Sequence, residues 1–487
     1  MPQAGNSACG FYLKEVYFLK EKKDFFHTVY DCVIENGTVI DPKTELRTIG
    51  NVAILNGKIA GVTRERLSAK RKIDASGKIV CPGIVDPHSH ADGQLFSGYV
   101  MASMGVTTII VGSCGLGPYP VKEFLTGLDE TGYPLNTAAL TPQSWILREK
   151  AGIESPYHTA TKEQIQNMAR WAEEDLLQGA VGLSMGLEYA PVTTWEEMVA
   201  MAEVAAKYDK VMPIHSRAGG WNSLEATREV IRLQETTGVR VLLSHHVYQC
   251  GQGMMEESLK IIEKARRQGY QIAVDSGAYC DFACPVGSEV FCEGWQQIYD
   301  CSYEDILAGT GKYAGQRLTE ETFHELRETD PDASITAFVG KPYEIALALK
   351  QPYVMISTDG GFPNLAPGIG HPQTAGTYPK ILRELVREQD VLTVMDFVKK
   401  SSWMPAQFFG LETKGFIGEG ADADILVFDL KRVKDNATFP GMGDPMAQPD
   451  GIDYVLVGGV PVVDNGIIQK DAKPGKSIFS RTEIWQM

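Results

Sequence analysis

Several histidines, one cysteine and one aspartate in this chain follow short apolar segments, and their types suggest metal chemistry. His88 and His90 lie two residues apart, directly after the segment Gly83-Ile84-Val85 and its Asp-Pro. Side chains two apart on an extended strand point to the same side, so both imidazoles can enter one cavity. Taken alone, such a pair is equally consistent with two hydrogen-bonded core histidines. The assignment therefore depends on which other residues join it.

The other members of this group stand at corresponding places along the chain. They are Cys114 after Val111, His215 after Ile214, His245 after Leu243 and Asp359 after Ile356. A free cysteine is more often a buried structural thiol, but we expect the turn Gly112-Ser113-Cys114-Gly115 to expose the sulfur. Imidazole, thiolate and carboxylate form a zinc-type ligand set, in which Cys-His-His plus water leaves a four-coordinate site open to a substrate. The residues therefore predict a metal site.

The segments before these residues predict the strands of a barrel. From about residue 82 to about residue 405, short apolar strands alternate with amphipathic helices, such as Lys162 to Leu177 and Trp195 to Tyr208. Thr194 and Glu197 are spaced as the capping box of the second helix. Alternating strands and helices indicate parallel strands, and about 320 residues suit a closed (β/α)8 TIM barrel, whose strand ends meet at one rim. A doubly wound open sheet is the second interpretation, weakened because no GxGxxG follows a first strand.

Both ends of the chain instead predict antiparallel β-structure. Asn36-Gly37, Asn56-Gly57 and Gly458-Gly459 each separate β-rich segments, and such dipeptides favour two-residue hairpins because both central residues need positive φ. A weaker strand pattern from about residue 283 to about residue 340 predicts an insertion in the barrel. Four cysteines in or beside this insertion lack the paired CxxC of a zinc knuckle and are expected to be reduced structural thiols: Cys280, Cys284, Cys292 and Cys301.

The composition restricts the class of partner. The 487 residues are 44% hydrophobic and 22% charged, which is typical of a globular protein with two or three domains. The net charge of −16 argues against nucleic-acid and anionic-membrane partners, which need clustered Lys and Arg, and favours a small-molecule substrate. No segment has the roughly 18 apolar residues of a transmembrane helix, and charges interrupt any signal-peptide core. The nine cysteines are odd in number and sparse, which indicates reduced thiols and a cytoplasmic location. A homo-oligomer is a further possible state of the protein.

A series of motifs resembles the amidohydrolase superfamily. They are Asp86 to His90, Gly105 to Thr108 leading to Gly112 to Gly115, Val181 to Ser184, His215 to Arg217, Ser244 to His246, Ser357 to Gly360 and Gly415 to Asp429. The paired histidines mark only the superfamily. The cysteine in its glycine turn, the spacing from His215 to His245 and the closing Asp-Gly resemble the D-aminoacylase (N-acyl-D-amino-acid deacylase) branch. The resemblance extends from about Tyr30 to about Gly466.

The fold implied by this resemblance is a TIM barrel with a small β-sandwich domain made from both chain ends. The barrel would comprise residues 82–405, including the insertion at about 283–340. The sandwich would comprise residues 28–81 and 406–487, and residues 1–27 would be an N-terminal extension.

For the metal site the resemblance implies two neighbouring positions. Three residues would hold one tight zinc ion: Cys114, His215 and His245. A second, weaker metal position would be surrounded by His88, His90 and Asp359, with Cys114 bridging the two. The implied reaction is hydrolysis of a carbon–nitrogen amide bond by water that the zinc activates. Asp359 would be the catalytic proton acceptor and donor, although Asp-Gly-Gly is also a turn signal.

The residues expected to contact the substrate depart from the pattern of the branch. A lysine usually follows the His-His pair, where this chain has Val247. An arginine usually follows His-Pro, where this chain has Gln373 behind a longer loop from Phe362 to Gly370. Glutamine cannot replace a bidentate arginine at equal strength. Tyr279 stands where the branch has a carboxylate-binding tyrosine, and Arg217 remains, either for the substrate or to brace the site.

Two enzymatic functions are consistent with these substitutions. The first is an N-acyl-D-amino-acid deacylase whose carboxylate contact has been rebuilt from other residues. The second is hydrolysis of a neutral or cyclic amide, as in a hydantoinase, with the same metal machinery. A third interpretation, a non-catalytic barrel protein, is disfavoured because such proteins normally lose metal ligands and here every predicted ligand position is filled.

Overall fold

The structure, a computed structural model, describes residues 25–361 and 366–480. Within these residues the strands are β1 Val29–Asp41, β2 Leu46–Leu55, β3 Lys58–Thr63, β4 Ser68–Asp74, β5 Ile79–Pro82, β6 Ile84–Asp86, β7 Val106–Val111, β8 Asn136–Pro142, β9 Gly182–Gly186, β10 Val211–His215, β11 Arg240–Leu243, β12 Ile272–Ser276, β13 Phe282–Pro285, β14 Ile306–Ala308, β15 Ser334–Ala337, β16 Val354–Ile356, β17 Ile425–Phe428, β18 Ile452–Val457, β19 Val460–Asp464 and β20 Ile467–Ile468. The α-helices are α1 Leu95–Ser103, α2 Val121–Thr131, α3 Arg148–Lys150, α4 Lys162–Leu177, α5 Trp195–Lys207, α6 Ser223–Thr237, α7 His246–Cys250, α8 Met255–Arg267, α9 Trp295–Tyr299, α10 Glu320–Thr329, α11 Pro342–Leu349, α12 Gln373–Ile381, α13 Val394–Val398 and α14 Met404–Phe408. Residues 1–24 of the expected extension and residues 362–365 of the expected loop lie outside the described residues.

Eight parallel strands form the central barrel, as the alternating pattern predicted. Their order is β6-β7-β8-β9-β10-β11-β12-β16, and every neighbouring pair is parallel. The first and last strands meet just beyond their ends, where Ser89 and Gly360 form a parallel bridge. There the amide of Asp359 donates to the carbonyl oxygen of His88 at 3.0 Å. The TIM barrel is confirmed, and the barrel closes at the rim where the predicted ligands lie.

The long helices bury one apolar side against the barrel. In α4, Met168, Ala172 and Leu176 recur at helical spacing and are fully buried. The helix begins at a capping box in which the side chains of Thr161 and Gln164 each accept the other's backbone amide. Local sequence and barrel packing therefore favour the same helix.

Helix α5 begins with only half of its predicted capping box. Oγ1 of Thr194 accepts the amide of Glu197 at 3.2 Å. Among the described contacts of Glu197, the carboxylate binds Nη1 of Arg148 at 2.6 Å and Nε2 of Gln143 at 2.7 Å instead of the Thr194 amide. A buried ion pair therefore takes the place of the reciprocal hydrogen bond, because the carboxylate gains a charged partner.

The prediction of a hairpin at Asn36-Gly37 is wrong. Both residues lie inside the continuous strand β1, which pairs antiparallel with β2 and parallel with β4 and β5. The register against β2 shifts between Ile34 and Gly37, and Asn36 has a φ of 63°. The dipeptide therefore forms a β-bulge, which uses the same positive φ as a turn.

The other two predicted hairpins are present. Asn56-Gly57 joins β2 to β3 with φ of 51° and 73°, and Gly458-Gly459 joins β18 to β19 with φ of 54° and 80°. Strands from both ends of the chain join in one nine-stranded sheet, in which β17 pairs antiparallel with β5. Ile34 and Leu456, from opposite ends of the sequence, belong to one apolar cluster. Both chain ends thus build the small domain.

Between β12 and β16 the chain leaves the barrel and forms a small subdomain. Its antiparallel sheet has the order β13-β15-β14, and α9 and α10 lie in the same stretch. The four cysteines in or beside it are free thiols, of which Cys280 and Cys284 are buried. No helix in the described part of the chain has the length and apolar composition needed to cross a bilayer.

Candidate metal centre

Six buried side chains converge at the carboxyl ends of the barrel strands, and each is one of the predicted ligands. His88 and His90 follow β6, Cys114 follows β7, His215 ends β10, His245 follows β11 and Asp359 follows β16. They form two overlapping groups, one of His88, His90, Cys114 and Asp359 and the other of Cys114, His215 and His245. Within each group the ligand atoms lie within 4.8 Å of one another.

The sulfur of Cys114 belongs to both groups. It lies 3.3 Å from Nε2 of His88 and 3.4 Å from Nε2 of His245. In the first group, Oδ1 of Asp359 lies 3.2 Å from Nε2 of both His88 and His90. In the second, the rings of His215 and His245 are 4.5 Å apart. A single sulfur atom is therefore within reach of both ligand groups.

Three of these residues have a left-handed backbone, with φ of 57° at Cys114, 33° at His245 and 53° at Asp359. Non-glycine residues in this region carry strain of about 1–3 kcal/mol each, which persists only where the surroundings impose it. Gly186 packs so closely on the cysteine turn that a Cβ would lie 2.2 Å from the carbonyl oxygen of Cys114. Cys114 is only 4% exposed. The prediction that its turn exposes the sulfur is therefore wrong, because the turn is packed and directs the sulfur to the histidines.

The electrostatic surroundings favour negative donors in this cluster. Burial raises the pKa of Cys114, but the charges of His88 and His245 outweigh it and hold that pKa well below its usual value. The same balance of burial and histidine charges holds the pKa of Asp359 well below its usual range. Burial lowers the pKa of His90, whereas Asp359 and Cys114 raise it to about 10. A divalent cation supplies the positive charge that this thiolate and carboxylate require, so the donor set fits a zinc-type ion.

Carboxylates outside the cluster lie against two of the histidines. Nε2 of His215 lies 2.8 Å from Oε2 of Glu188, while its Nδ1 is buried without a hydrogen bond to any described residue. Nδ1 of His88 lies 3.5 Å from Oδ2 of Asp275, and Oδ1 of Asp275 accepts the amide of His245 at 2.8 Å. Metal-bound histidines usually place their second ring nitrogen on a carboxylate, which fixes the ring. This arrangement also fits a metal ion.

Two of the four predicted substrate residues are occupied by contacts within the fold. Nε and Nη2 of Arg217 each bind Glu229 at 2.9 Å, and Nη1 donates to the carbonyl oxygen of Pro191 at 2.6 Å. Val247 is fully buried in α7. The contacts of Arg217 are those of a residue that braces the loop after β9, and Val247 belongs to the core.

The other two, Gln373 and Tyr279, are also buried. Nε2 of Gln373 donates to the carbonyl oxygen of Asp359, and its Oε1 accepts the hydroxyl of Tyr248 at 2.7 Å. The hydroxyl of Tyr279 has no hydrogen bond to the described residues, and its ring centroid lies 5.3 Å from that of His371. Gln373 therefore holds the backbone of Asp359, whereas Tyr279 carries a buried hydroxyl without a partner among these residues.

A cavity opens beside the predicted ligands His215, His245 and Asp359. Its wall holds residues that the sequence did not single out: Glu188, Tyr189, Tyr248, Gln249, Phe282 and Tyr299. Glu188 and Tyr189 follow β9 at the same rim, so the strand-end pattern that found the ligands could have found them. Phe282 and Tyr299 lie in or beside the insertion, and no sequence signal places that segment against the barrel.

Glu188 is the centre of a hydrogen-bond network at this wall. Oε1 accepts the hydroxyl of Tyr299 at 2.7 Å, and Oε2 accepts Nε2 of Gln249 at 3.2 Å in addition to His215. Burial raises the pKa of Glu188, but the contacts with His215, Tyr299 and Gln249 outweigh it and lower that pKa below its usual value. The cavity is therefore bordered by an ionised carboxylate.

Comparison with known proteins finds related enzymes over nearly the whole chain. Residues 343–462 match the model of the Amidohydrolase family. The N-acyl-D-glutamate deacylase of Alcaligenes xylosoxydans xylosoxydans is 30% identical over 93% of this chain and 99% of that protein. The D-aminoacylase of the same organism is 26% identical, covering 89% of this chain and 94% of that protein. The crystal structure of N-acyl-D-glutamate deacylase from Bordetella bronchiseptica, complexed with zinc and a phosphonate inhibitor, has a TM-score of 0.83 at 27% identity, covering 93% of this chain and 100% of that chain.

Proposed function

This chain belongs to the amidohydrolase family, in its D-aminoacylase branch, and on that premise we propose that it is a zinc-dependent deacylase of N-acyl-D-amino acids. The observation that carries the proposal is the position of the Cys114 sulfur between His88 and His245. A thiolate that faces both ligand groups would be within reach of both metal positions of one centre. Such a centre suits hydrolysis of an amide bond, the reaction class of this family.

The ligand roles follow from the two groups of side chains. Cys114, His215 and His245 would hold the tight zinc, because thiolate and imidazole are its preferred donors. His88, His90 and Asp359 would surround the second, weaker position. Glu188 and Asp275 support His215 and His88 from outside, as carboxylates behind metal-bound histidines do.

Asp359 is the acid–base group in this proposal. When bound, the metal would polarise the substrate carbonyl and lower the pKa of a water molecule toward about 7. The Asp359 carboxylate accepts the proton of the attacking water and then delivers it to the leaving nitrogen. The hydrogen bond from Gln373 to the Asp359 carbonyl oxygen holds this residue at the rim.

A hydrolysis screen tests the reaction. The zinc-loaded protein is assayed side by side with N-acetyl-D-amino acids, the corresponding L forms, and hydantoins or other cyclic amides. We expect selective turnover of the D forms, because the related enzymes act on N-acyl-D-amino acids. Turnover of the L forms alone, or of none of these compounds, would contradict the proposal.

Hydrolysis of a neutral or cyclic amide is the second candidate, and one observation favours it. Val247 and Gln373 replace the two cationic residues of the branch, and both are fully buried. The described residues that line the cavity include no lysine or arginine. A preference for hydantoins over every N-acetyl-D-amino acid in the same screen would select this function.

Metal binding is tested separately from turnover. Cys114→Ser should lower the zinc content of the purified protein, because a hydroxyl is a poor substitute for a thiolate ligand. Cys250→Ser is the matched control: this thiol is also buried, and its sulfur lies 4.0 Å from Nδ1 of His246. It should keep the zinc. Equal zinc content in the two variants by mass spectrometry would remove Cys114 from the ligand set.

A further inference from the structure

The wall of the cavity beside the ligands combines aromatic rings with a carboxylate that lies outside both ligand groups. Tyr189, Tyr248, Phe282 and Tyr299 supply the rings, and Glu188 supplies the carboxylate. The ring of Trp145 lies 5.9 Å from that of Tyr189 and is 42% exposed, so the aromatic row continues from the cavity to the surface. Aromatic faces attract cations through their electron-rich π-systems.

The hydrogen bonds of Glu188 identify it as a charged group. Its two oxygens accept from Tyr299 at 2.7 Å, His215 at 2.8 Å and Gln249 at 3.2 Å. An acceptor of three donors suits an ionised carboxylate. Two of these donors, the hydroxyl of Tyr299 and the side-chain amide of Gln249, are neutral. Among the described residues that line the cavity none is a lysine or an arginine, so no basic side chain of this wall offsets the carboxylate.

Arg217 and Lys380 have contacts outside the cavity wall. The guanidinium of Arg217 binds both oxygens of Glu229 at 2.9 Å. Nζ of Lys380 lies 4.2 Å from the ring centroid of Tyr279, which is outside the cavity wall. Among the described lining residues, no basic side chain would compensate a negatively charged substrate group that faced Glu188. A positively charged group would gain both an ion pair in a buried site and contact with aromatic faces.

We propose that this cavity binds a positively charged group of the substrate, a protonated amine or a guanidinium, and that Glu188 selects it. The inference rests on the deacylase function proposed above and specifies its substrate class, N-acyl-D-amino acids with a basic side chain. The ammonium or guanidinium group pairs with Glu188 while the rings of Tyr189 and Tyr248 flank it. Selection by charge is then opposite to that required for an N-acyl-D-glutamate substrate.

Three substrates of similar length test the charge preference of the zinc-loaded enzyme. N-acetyl-D-lysine carries the cation, N-acetyl-D-norleucine is its neutral counterpart and N-acetyl-D-glutamate carries an anion. We expect kcat/KM for the lysine compound to exceed that for norleucine at least tenfold, with glutamate lowest. A norleucine value equal to or above that of lysine overturns the inference while leaving the deacylase function intact. Absence of turnover for all three and for other N-acetyl-D-amino acids overturns both.

The role of Glu188 is tested by Glu188→Gln, which keeps the size of the side chain and one hydrogen-bond acceptor but removes the negative charge. With zinc content verified, the lysine-to-norleucine ratio should fall close to one. Glu289→Gln is the matched control, since Glu289 accepts a hydrogen bond from Tyr157 and is outside the cavity wall; its ratio should equal that of the wild type. An unchanged ratio in zinc-loaded Glu188→Gln overturns the role of Glu188.

A measurement without variants covers the case in which Glu188→Gln loses its zinc. The products D-lysine and D-norleucine are compared as inhibitors of the wild-type holoenzyme at low and moderate ionic strength. D-lysine should inhibit at least tenfold more strongly, and salt should reduce that advantage because screening weakens the ion pair. Equal inhibition by the two products overturns the inference.

Discussion

At the scale of single residues, Asp359 is where proton transfer can be separated from metal binding. Asp359→Asn leaves Cys114, His215 and His245 in place, so the tight zinc should be retained. The amide cannot accept the proton of the attacking water, and kcat should fall by about 10²–10⁴-fold, the usual contribution of a general acid–base group. Zinc analysis and steady-state kinetics check this. Near-normal turnover in a zinc-loaded variant would remove Asp359 from the mechanism.

His371 predicts how stability changes with acidity. Burial lowers the pKa of His371 to about 3, whereas an unfolded histidine titrates near 6.5. The unfolded chain therefore binds more protons than the folded one between these two values. The sign follows from linkage: the stability contributed by neutral His371 is complete above about pH 6.5 and is lost as the pH falls.

We expect this residue to lower the free energy of unfolding by up to about 1.4 kcal/mol per pH unit below about pH 6. In the wild type, the backbone amide of Gln373 donates a hydrogen bond to Nδ1 of His371 at 3.1 Å. His371→Asn removes the titrating group but retains a side-chain acceptor for this amide. Urea unfolding of the zinc-loaded proteins at pH 5, 6 and 7 should give a shallower pH dependence for the variant. Parallel curves for the two proteins would contradict the prediction.

At the scale of elements, a buried ion pair joins α3 to α5. The side chains of Arg148 and Glu197 are 3% and 0% exposed. Arg148→Met leaves the Glu197 carboxylate buried without its cation, which should lower the free energy of unfolding by about 3–5 kcal/mol. Removing both charges with Glu197→Gln added should restore part of that loss. Arg267→Met is the control, because Arg267 forms an exposed ion pair with Glu263 and its loss should change the free energy of unfolding little. An equal effect of Arg267→Met and Arg148→Met would contradict the stabilising role of the buried pair.

The elements also show what the sequence can and cannot predict. Most barrel strands were predictable because they are short apolar segments that alternate with helices, and the predicted ligands because each stands at such a strand's end. Asn36-Gly37 and Asn56-Gly57 carry the same local signal, yet one forms a bulge and the other a turn. The difference is non-local, because the strand after Gly37 continues along β2 and begins to pair with β5.

The candidate site divides in the same way. A strand-end pattern identifies Cys114 and His215 as predicted ligands. The contact of Tyr299 with Glu188 joins residues far apart in sequence and depends on where the insertion packs against the barrel. The direction of the Cys114 sulfur depends on Gly186, which belongs to another strand. A local sequence pattern shows neither where the insertion packs nor which residue packs against the Cys114 turn.

At the scale of the whole molecule, Asp424 connects the barrel to the small domain. Oδ2 accepts Nζ of Lys414 at 2.6 Å and Nδ2 of Asn136 at 3.0 Å, and Oδ1 accepts the amide of Gly458 at 2.8 Å. Asn136 begins strand β8 of the barrel, and Gly458 lies in the β18–β19 hairpin. One carboxylate thus has partners in both domains.

Asp424→Asn should therefore destabilise the two domains together. Lys414 keeps Asp422 but loses the closer of its two counter-charges, so the free energy of unfolding should fall by about 1.5–3 kcal/mol, the usual contribution of a hydrogen bond to a charged group. Asp422→Asn is the matched control, since Asp422 also contacts Lys414, at 3.1 Å, but is 22% exposed; its effect should be smaller. Calorimetry should show a single transition at lower temperature for Asp424→Asn. Equal effects of the two substitutions would contradict the bridging role.

The pairing of β17 with β5 has a consequence for how the protein is made. The two strands are far apart in the chain, since β5 ends at Pro82 and β17 begins at Ile425. At 5–20 residues per second, the ribosome needs roughly 20–70 seconds to synthesise the segment between them. During that time one edge of β5 has no strand to pair with, and open edges recruit other chains. The small domain begins first on the ribosome and is completed last, after the entire barrel has emerged.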